Sequence, residues 1–158
     1  MKWNELLAST GKVNTASLEN VNGVAHVSNL DLHYYKGVRT LTFSGEIRSA
    51  TKPSKYSCII TFTKVDANEN LTEEEIAQGF YPKPSLSKND IQVRCSCPSY
   101  RFRYGYQNAH NAVATGARVK SYISKHERPS VNPKNLPGAC KHLVEFVNYL
   151  VASGFIFE

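Results

Sequence analysis

Ile91-Gln92-Val93-Arg94-Cys95-Ser96-Cys97 alternates without a break. On a strand, residues two apart share a face. Ile91, Val93, Cys95 and Cys97 therefore fall on one side, and Gln92, Arg94 and Ser96 on the other. The inward side ends in two thiols rather than two hydrocarbons. Thiolates two residues apart on a strand can reach a single ion, and Pro98 then stops the strand.

A second short motif supplies the rest of a ligand set. Cys140-Lys141-His142 follows the turn Pro137-Gly138 and opens an apolar-periodic run. Residues two apart do not face each other inside a helix. Cys140 and His142 can share an ion only if Cys140 stands at the helix start and His142 in its first turn. Leu143, Val147, Leu150 and Val151 carry the helical period, so the helix runs from about Lys141 to Ser153 and stops at Gly154. A helix N-terminus also favours the thiolate over the thiol. Cys95, Cys97, Cys140 and His142 together form a tetrahedral three-sulfur, one-nitrogen set for one structural Zn2+, with no position left for water. Lys141, Arg94 and Arg101 are close enough in sequence to offset the charge of three thiolates. The long stretch 98–139 between the pairs is no obstacle. Closing a loop of about 40 residues costs about 3 kcal/mol, against roughly 10–16 kcal/mol from a structural zinc.

Working outward, the residues before the metal half read as strands. Val38–Arg48 places Leu41, Phe43 and Ile47 on one face, and Tyr56–Val65 places Tyr56, Cys58, Ile60 and Phe62 on one face. Val24–Leu32 is a weaker strand after the turn Asn22-Gly23. Consecutive strands joined by short polar connections imply an antiparallel sheet. Lys2–Ala8 reads as a short helix or an arm, with Trp3, Leu6 and Leu7 as its apolar side. Leu71–Ile76 starts a short helix capped by Thr72 and Glu75 and ended by Gly79. Phe80–Asn89, with Pro82 and Pro84, reads as a surface linker. Cys58 reads as a core thiol rather than a ligand. His26, His33, His110 and His126 carry no partner motif.

The stretch 98–139 has its own character. Tyr100, Phe102, Tyr104 and Tyr106 alternate with Arg101, Arg103 and Gly105, which as a strand gives one aromatic and one cationic face. Such a run either stacks on nucleotides or packs half-buried with its arginines reaching water; the packed form is preferred. Lys125–Lys134 is basic, and Pro129, Pro133 and Pro137 exclude regular structure there. Arg101, Arg103, Tyr104, Arg118, Lys120 and Arg128 are the candidate contacts for a partner.

Composition sets the remaining bounds. The chain has 158 residues, 41% of them hydrophobic and 20% charged. Residues 1–90 balance acidic and basic side chains, so the whole net charge of +6 lies in residues 91–158. That excess suits nucleic acid or an acidic protein, and equally a solvated surface. No apolar run is long enough for a membrane span, and the start of the chain lacks a secretory signal. Four cysteines, three of them in the two motifs, fit synthesis in a reducing cytoplasm. No catalytic triad, phosphate loop or carboxylate pair is visible, so neither an enzyme nor a small-molecule substrate is expected.

CxC closing a strand and CxH opening a helix resembles the SWIM zinc finger, over Ile91 to about Val151. The resemblance implies Cys95, Cys97, Cys140 and His142 as the zinc ligands. It also implies a role in DNA binding or protein–protein contact. The spacer here is longer than the usual SWIM spacer. The extended pattern CSCPSYRFRYGYQNAHN (95–111) with NPKNLPGACKHLVEFV (132–147) is similar to small tailed-bacteriophage proteins encoded among virion structural genes. That implies a subunit of a head, neck or tail, partnered by other subunits, made in the cytoplasm and incorporated into a virion. The expected fold is α+β: an antiparallel sheet with a C-terminal helix, stapled by zinc. Residues 1–90 form its strand-rich part and residues 91–158 its SWIM-like part. A nucleic-acid-binding module using the basic stretch 98–139 is the alternative.

Overall fold

The computed structural model describes residues 1–19, 26–48, 53–66, 71–116 and 131–158. The turn at Asn22-Gly23, most of the basic segment, and Arg118, Lys120 and Arg128 lie outside these residues.

Four strands form one antiparallel sheet in sequence order: β1 (Val27–Tyr35), β2 (Thr40–Arg48), β3 (Lys55–Thr63) and β4 (Asp90–Cys95). The period-two pattern sets the register. Phe43 pairs with Ile60, and Ile60 with Val93, so the inward residues of three strands line up across the sheet. Leu41, Phe43, Ile47, Cys58, Ile60, Phe62, Ile91 and Val93 are all buried. The opposite face is polar, with Thr42 and Thr61 sharing a hydrogen bond across β2 and β3.

The first strand is displaced from its expected place. It begins at Val27 and runs on to Tyr35, with an irregularity between Ser28 and Asp31 where Asn29 takes φ 51°. Tyr34, expected in no strand, is buried opposite Leu41. Val38 belongs to a 3-10 turn (Lys36–Val38) and not to β2. β3 stops at Thr63 because Lys64 takes φ 54°. That turn sends Val65 back into the core.

The C-terminal helix, α5 (Lys141–Ala152), covers the inward face, packing on β2, β3 and β4. Leu143, Phe146, Val147 and Leu150 are fully buried, and Gly154 at φ 76° ends the chain's helical course. Gly45 on β2 allows the close approach. A Cβ there would meet Phe146 at 2.9 Å and Val27 at 3.0 Å.

At the other end of the chain, α1 (Trp3–Val13) and the single turn α2 (Ala16–Glu19) complete the core. Trp3, Leu6 and Thr10 follow i, i+3/i+4 spacing and are buried. The segment before α1 also serves the sheet, since Ile91 N–H donates to the Met1 carbonyl at 3.0 Å. The short helix α3 (Glu73–Ala77) forms as its sequence implies. Thr72 Oγ1 accepts from Glu75 N–H at 3.2 Å, and three glutamates occupy the first turn.

Two expectations are corrected. Phe80–Asn89 is no surface linker. Pro82, Pro84, Ser85 and Leu86 are buried, and the segment pairs with the C-terminal residues. Phe157 N–H donates to Pro84 O at 2.9 Å, and Leu86 N–H to Phe157 O at 3.0 Å. Prolines lack an N–H but keep a carbonyl that accepts, so a proline-rich stretch can still pair.

Tyr100–Tyr106 is not a strand. Tyr100–Tyr104 is a π-helical turn that runs into α4 (Gly105–His110). Tyr100, Tyr104 and Asn108 sit four residues apart and are buried, whereas Phe102 and Tyr106 are exposed. Half of the alternating aromatics therefore face water. The chain is α+β, with an antiparallel sheet, a C-terminal helix and a clustered Cys/His set beside them. Among the described residues no helix is long and apolar enough to cross a membrane.

Candidate metal centre

Cys95 is the last residue of β4 and points into the core with Ile91 and Val93. Cys97 lies beyond the strand, yet its thiol turns to the same side and is buried. The chain then coils, and backbone donors converge on the two sulfurs. Cys97 N–H donates to Cys95 Sγ at 3.4 Å, and Tyr100 N–H to Cys97 Sγ at 3.3 Å. Such N–H donors stabilise thiolate over thiol.

Cys140 is the residue preceding α5, with extended backbone (φ −78°, ψ 164°) and no capping hydrogen bond from its thiol. His142 sits in the first turn. This placement, one ligand before the helix and one inside it, brings both side chains to the two β4 thiols. The ligand atoms of Cys95, Cys97, Cys140 and His142 all lie within 4.8 Å of one another, and all four residues are buried.

The electrostatics follow from crowding. The Cys140 and Cys95 thiols beside Cys97 pull it below the ordinary thiol range, helped by the His142 ring and the Tyr100 N–H. Burial pushes Cys140 up, with Cys95 and Cys97 adding to the effect. Three sulfurs so close cannot all ionise without a cation among them.

The imidazole makes the same point independently. Neither ring nitrogen of His142 has a hydrogen-bond partner among the described residues, although both are buried. A buried polar atom without a partner costs on the order of 1–3 kcal/mol. A metal ion on one nitrogen removes that cost. The Tyr56 ring packs on the imidazole, with centroids 4.8 Å apart, and limits its tilt. The donors thus fit one metal ion, and the set matches a tetrahedral structural site in type and number.

The segment carrying the second ligand pair is held from two sides. Asn108, fully buried on α4, accepts from Gly138 N–H at 2.8 Å and donates to Gly138 O at 2.9 Å. Its amide also lies 3.3 Å from the Tyr100 hydroxyl, which donates to Val93 O at 2.8 Å. Burial pushes the Tyr100 phenol up, so it remains a donor. From the other side, Thr10 on α1 accepts from Ala139 N–H at 2.8 Å, and Ser9 Oγ donates to Pro137 O at 2.6 Å. Gly138 is pinned between these braces. A Cβ there would lie 2.6 Å from Tyr104 Cδ1 and 3.1 Å from Thr10 Oγ1.

The candidate partner contacts separate. Arg101 is exposed and lies over the Phe102 ring at 5.6 Å. Arg103 is half-buried and donates to Ser99 Oγ at 3.4 Å. Tyr104 is fully buried against Gly138 and is no surface contact, because the helical period turns it inward. Phe102 and Tyr106 occupy the outward positions instead, and Tyr106 stacks on His110 at 6.2 Å. Asn108, Thr10 and Ser9 carried no sequence signal. Isolated polar residues have no period, and their partners are 30 and more than 100 residues away. The helical interval between Tyr100 and Tyr104 was a signal for the turn that carries Asn108, though not for Asn108 itself.

No protein-family model, curated protein or solved structure matches the chain.

Proposed function

We propose that this chain is a non-catalytic protein in which one Zn2+ held by Cys95, Cys97, Cys140 and His142 fixes an interaction surface, and that it works as a subunit of a larger assembly. The observation that carries this reading is the closed donor set. Four buried donor residues lie within 4.8 Å of one another, the number that a closed tetrahedral structural zinc takes, whereas catalytic zinc requires an open position. The ion supplies charge neutralisation and a cross-link between β4 and α5. The assignment to a virion component of head, neck or tail rests on the sequence pattern alone, the CxC and CxH order with the stretches 95–111 and 132–147.

Metal analysis of the reduced, natively purified protein tests the site, with one zinc per chain expected. A metal-free, folded protein overturns it. Purified particles test the assembly, where the chain is expected at a fixed copy number. Its absence from them overturns the virion assignment.

A nucleic-acid module is the second reading, favoured by one observation. Phe102, Tyr106 and His110 form an exposed aromatic stripe on one helical face, with Arg101 beside it. Stacked bases and neutralised phosphates are what such a stripe accepts. Binding should then weaken steeply with salt and vanish when Arg101, Arg103, Lys120 and Arg128 are neutralised. Absence of binding to DNA or RNA at low salt rules this reading out.

A further inference from the structure

Cys58 is the one cysteine outside the donor set, and it is not remote from it. β3 and β4 pair so that Cys58 stands directly opposite Cys95. Ser96 N–H donates to Ser57 O at 3.0 Å, so the neighbouring pair is the hydrogen-bonded one. Cys58 and Cys95 therefore form a non-hydrogen-bonded pair, the kind whose side chains come closest. Both point to the core face, and the two sulfurs lie 3.7 Å apart. Cys58 is fully buried. Its register partner on β2 is Gly45, which leaves no side chain on that side to separate it from the sheet.

We propose that Cys58 is a positioning residue for the metal centre: its S–H donates to Cys95 Sγ, and this outer hydrogen bond holds the Cys95 thiolate in its ligating orientation. This rests on the zinc reading above. The argument is one of supply and demand. A thiolate bound to one ion still has lone pairs in a dry core, and each wants a donor. Cys95 receives the Cys97 N–H, and Cys97 receives the Tyr100 N–H. Cys58 adds a second donor to Cys95 from the opposite strand. An apolar residue would fill the same core position, as Ile60 and Phe62 do further along β3. Only a residue with a donor serves the ligand. Outer partners of this kind orient the ligand, and losing one typically costs 10–100-fold in metal affinity.

The test is cobalt titration of wild type, Cys58→Ala and Cys58→Ser. Alanine and serine leave closely similar cavities, so a difference between them reads the donor and not the packing. Cys58→Ala should bind cobalt at least about tenfold more weakly, and its sulfur-to-cobalt absorption band should move to lower energy. Cys58→Ser should recover most of the affinity and return the band toward the wild-type position. Equal affinity and an identical band in Ala and Ser overturn the proposal while leaving the metal site intact. A wild-type protein with no sulfur-to-cobalt band overturns the metal reading itself, and this proposal with it.

A measurement on unaltered protein guards against variants that fail to fold. With three of the chain's four cysteines bound as thiolates, zinc-loaded wild type retains one S–H group. Its infrared stretch should be a single band displaced below that of a free thiol. A single band at the free-thiol position overturns the hydrogen bond.

Discussion

Gly138 occupies a space that no other residue fits. A methyl group there would press into the Tyr104 ring and against Thr10, and both of those side chains are fully buried. Gly138→Ala should therefore cost about 1–3 kcal/mol and lower the thermal midpoint measured with metal present. Asn108→Ala removes both hydrogen bonds to the Gly138 peptide and leaves buried groups unpaired. A loss of about 3 kcal/mol is expected in denaturant unfolding, with weaker metal retention against a chelator. A loss below about 0.5 kcal/mol would show that Asn108 does not hold the ligand segment. Cys140→Ala should do more, since it removes a ligand and leaves the others crowded. Metal content should fall to nothing, and near-ultraviolet dichroism should show loss of packing around α5. The clustering of Cys95, Cys97, Cys140 and His142 was legible in the sequence because metal chemistry accepts few residue types at few spacings. Asn108 was not, because a single amide announces nothing until its partners are in place.

Among the elements, α1 is the test of how far the metal centre depends on its surroundings. Trp3 and Leu6 anchor it in the core, while Ser9 and Thr10 reach the residues before Cys140. Trp3→Ala should destabilise the protein by about 3–5 kcal/mol. It should also speed zinc loss to a chelator, although Trp3 is no ligand. Unchanged release would mean that the site stands without α1. β2, β3, β4 and α5 were legible because their periods are unambiguous, and α3 because its cap is in place. The helical run after Pro98 was not. Aromatics at every second position from Tyr100 to Tyr106 suit a strand, while Tyr100, Tyr104 and Asn108 suit a helix equally. Tertiary demand decided it, since only Tyr100 and Tyr104 of the four aromatics find room in the core. Phe80–Asn89 was misread for a related reason. Its prolines exclude a central strand but not an edge pairing with Phe157.

For the whole molecule, acid should act in two separate ranges. Asp90 accepts from the Met1 ammonium and is flanked by Lys2 and Lys64. The Met1 ammonium and Lys2 hold its carboxyl at about 2, below the usual carboxylate value. A depressed folded pKa means the contribution is full above the unfolded value near 4 and fades as pH falls toward 2. The group is at the surface, so the effect stays under about 1 kcal/mol. The metal centre responds at milder pH, because protons compete with the ion for thiolates and imidazole. The thermal midpoint with zinc present should exceed that with chelator at neutral pH. The gap should close as pH falls through the acid range, leaving only the small Asp90 step below pH 4. A gap that persists to pH 3 would contradict ligation by these residues. The antiparallel order and the packing of α5 on the sheet followed from the sequence. The meeting of α1, α4 and the 137–139 segment did not, since it joins residues from both ends of the chain.

That meeting has a consequence for the time course of synthesis. Cys95 and Cys97 leave the ribosome well before Cys140 and His142, and α1 leaves before either pair. Until the last pair emerges, the first can capture an ion only in a loose, two-sulfur grip. In the folded chain Thr10 accepts from Ala139 N–H, so α1 braces the residues just before Cys140. Complete capture of an ion by this cluster would thus follow the emergence of His142, and an ion held fast would signal that α1 and the 137–139 segment have met.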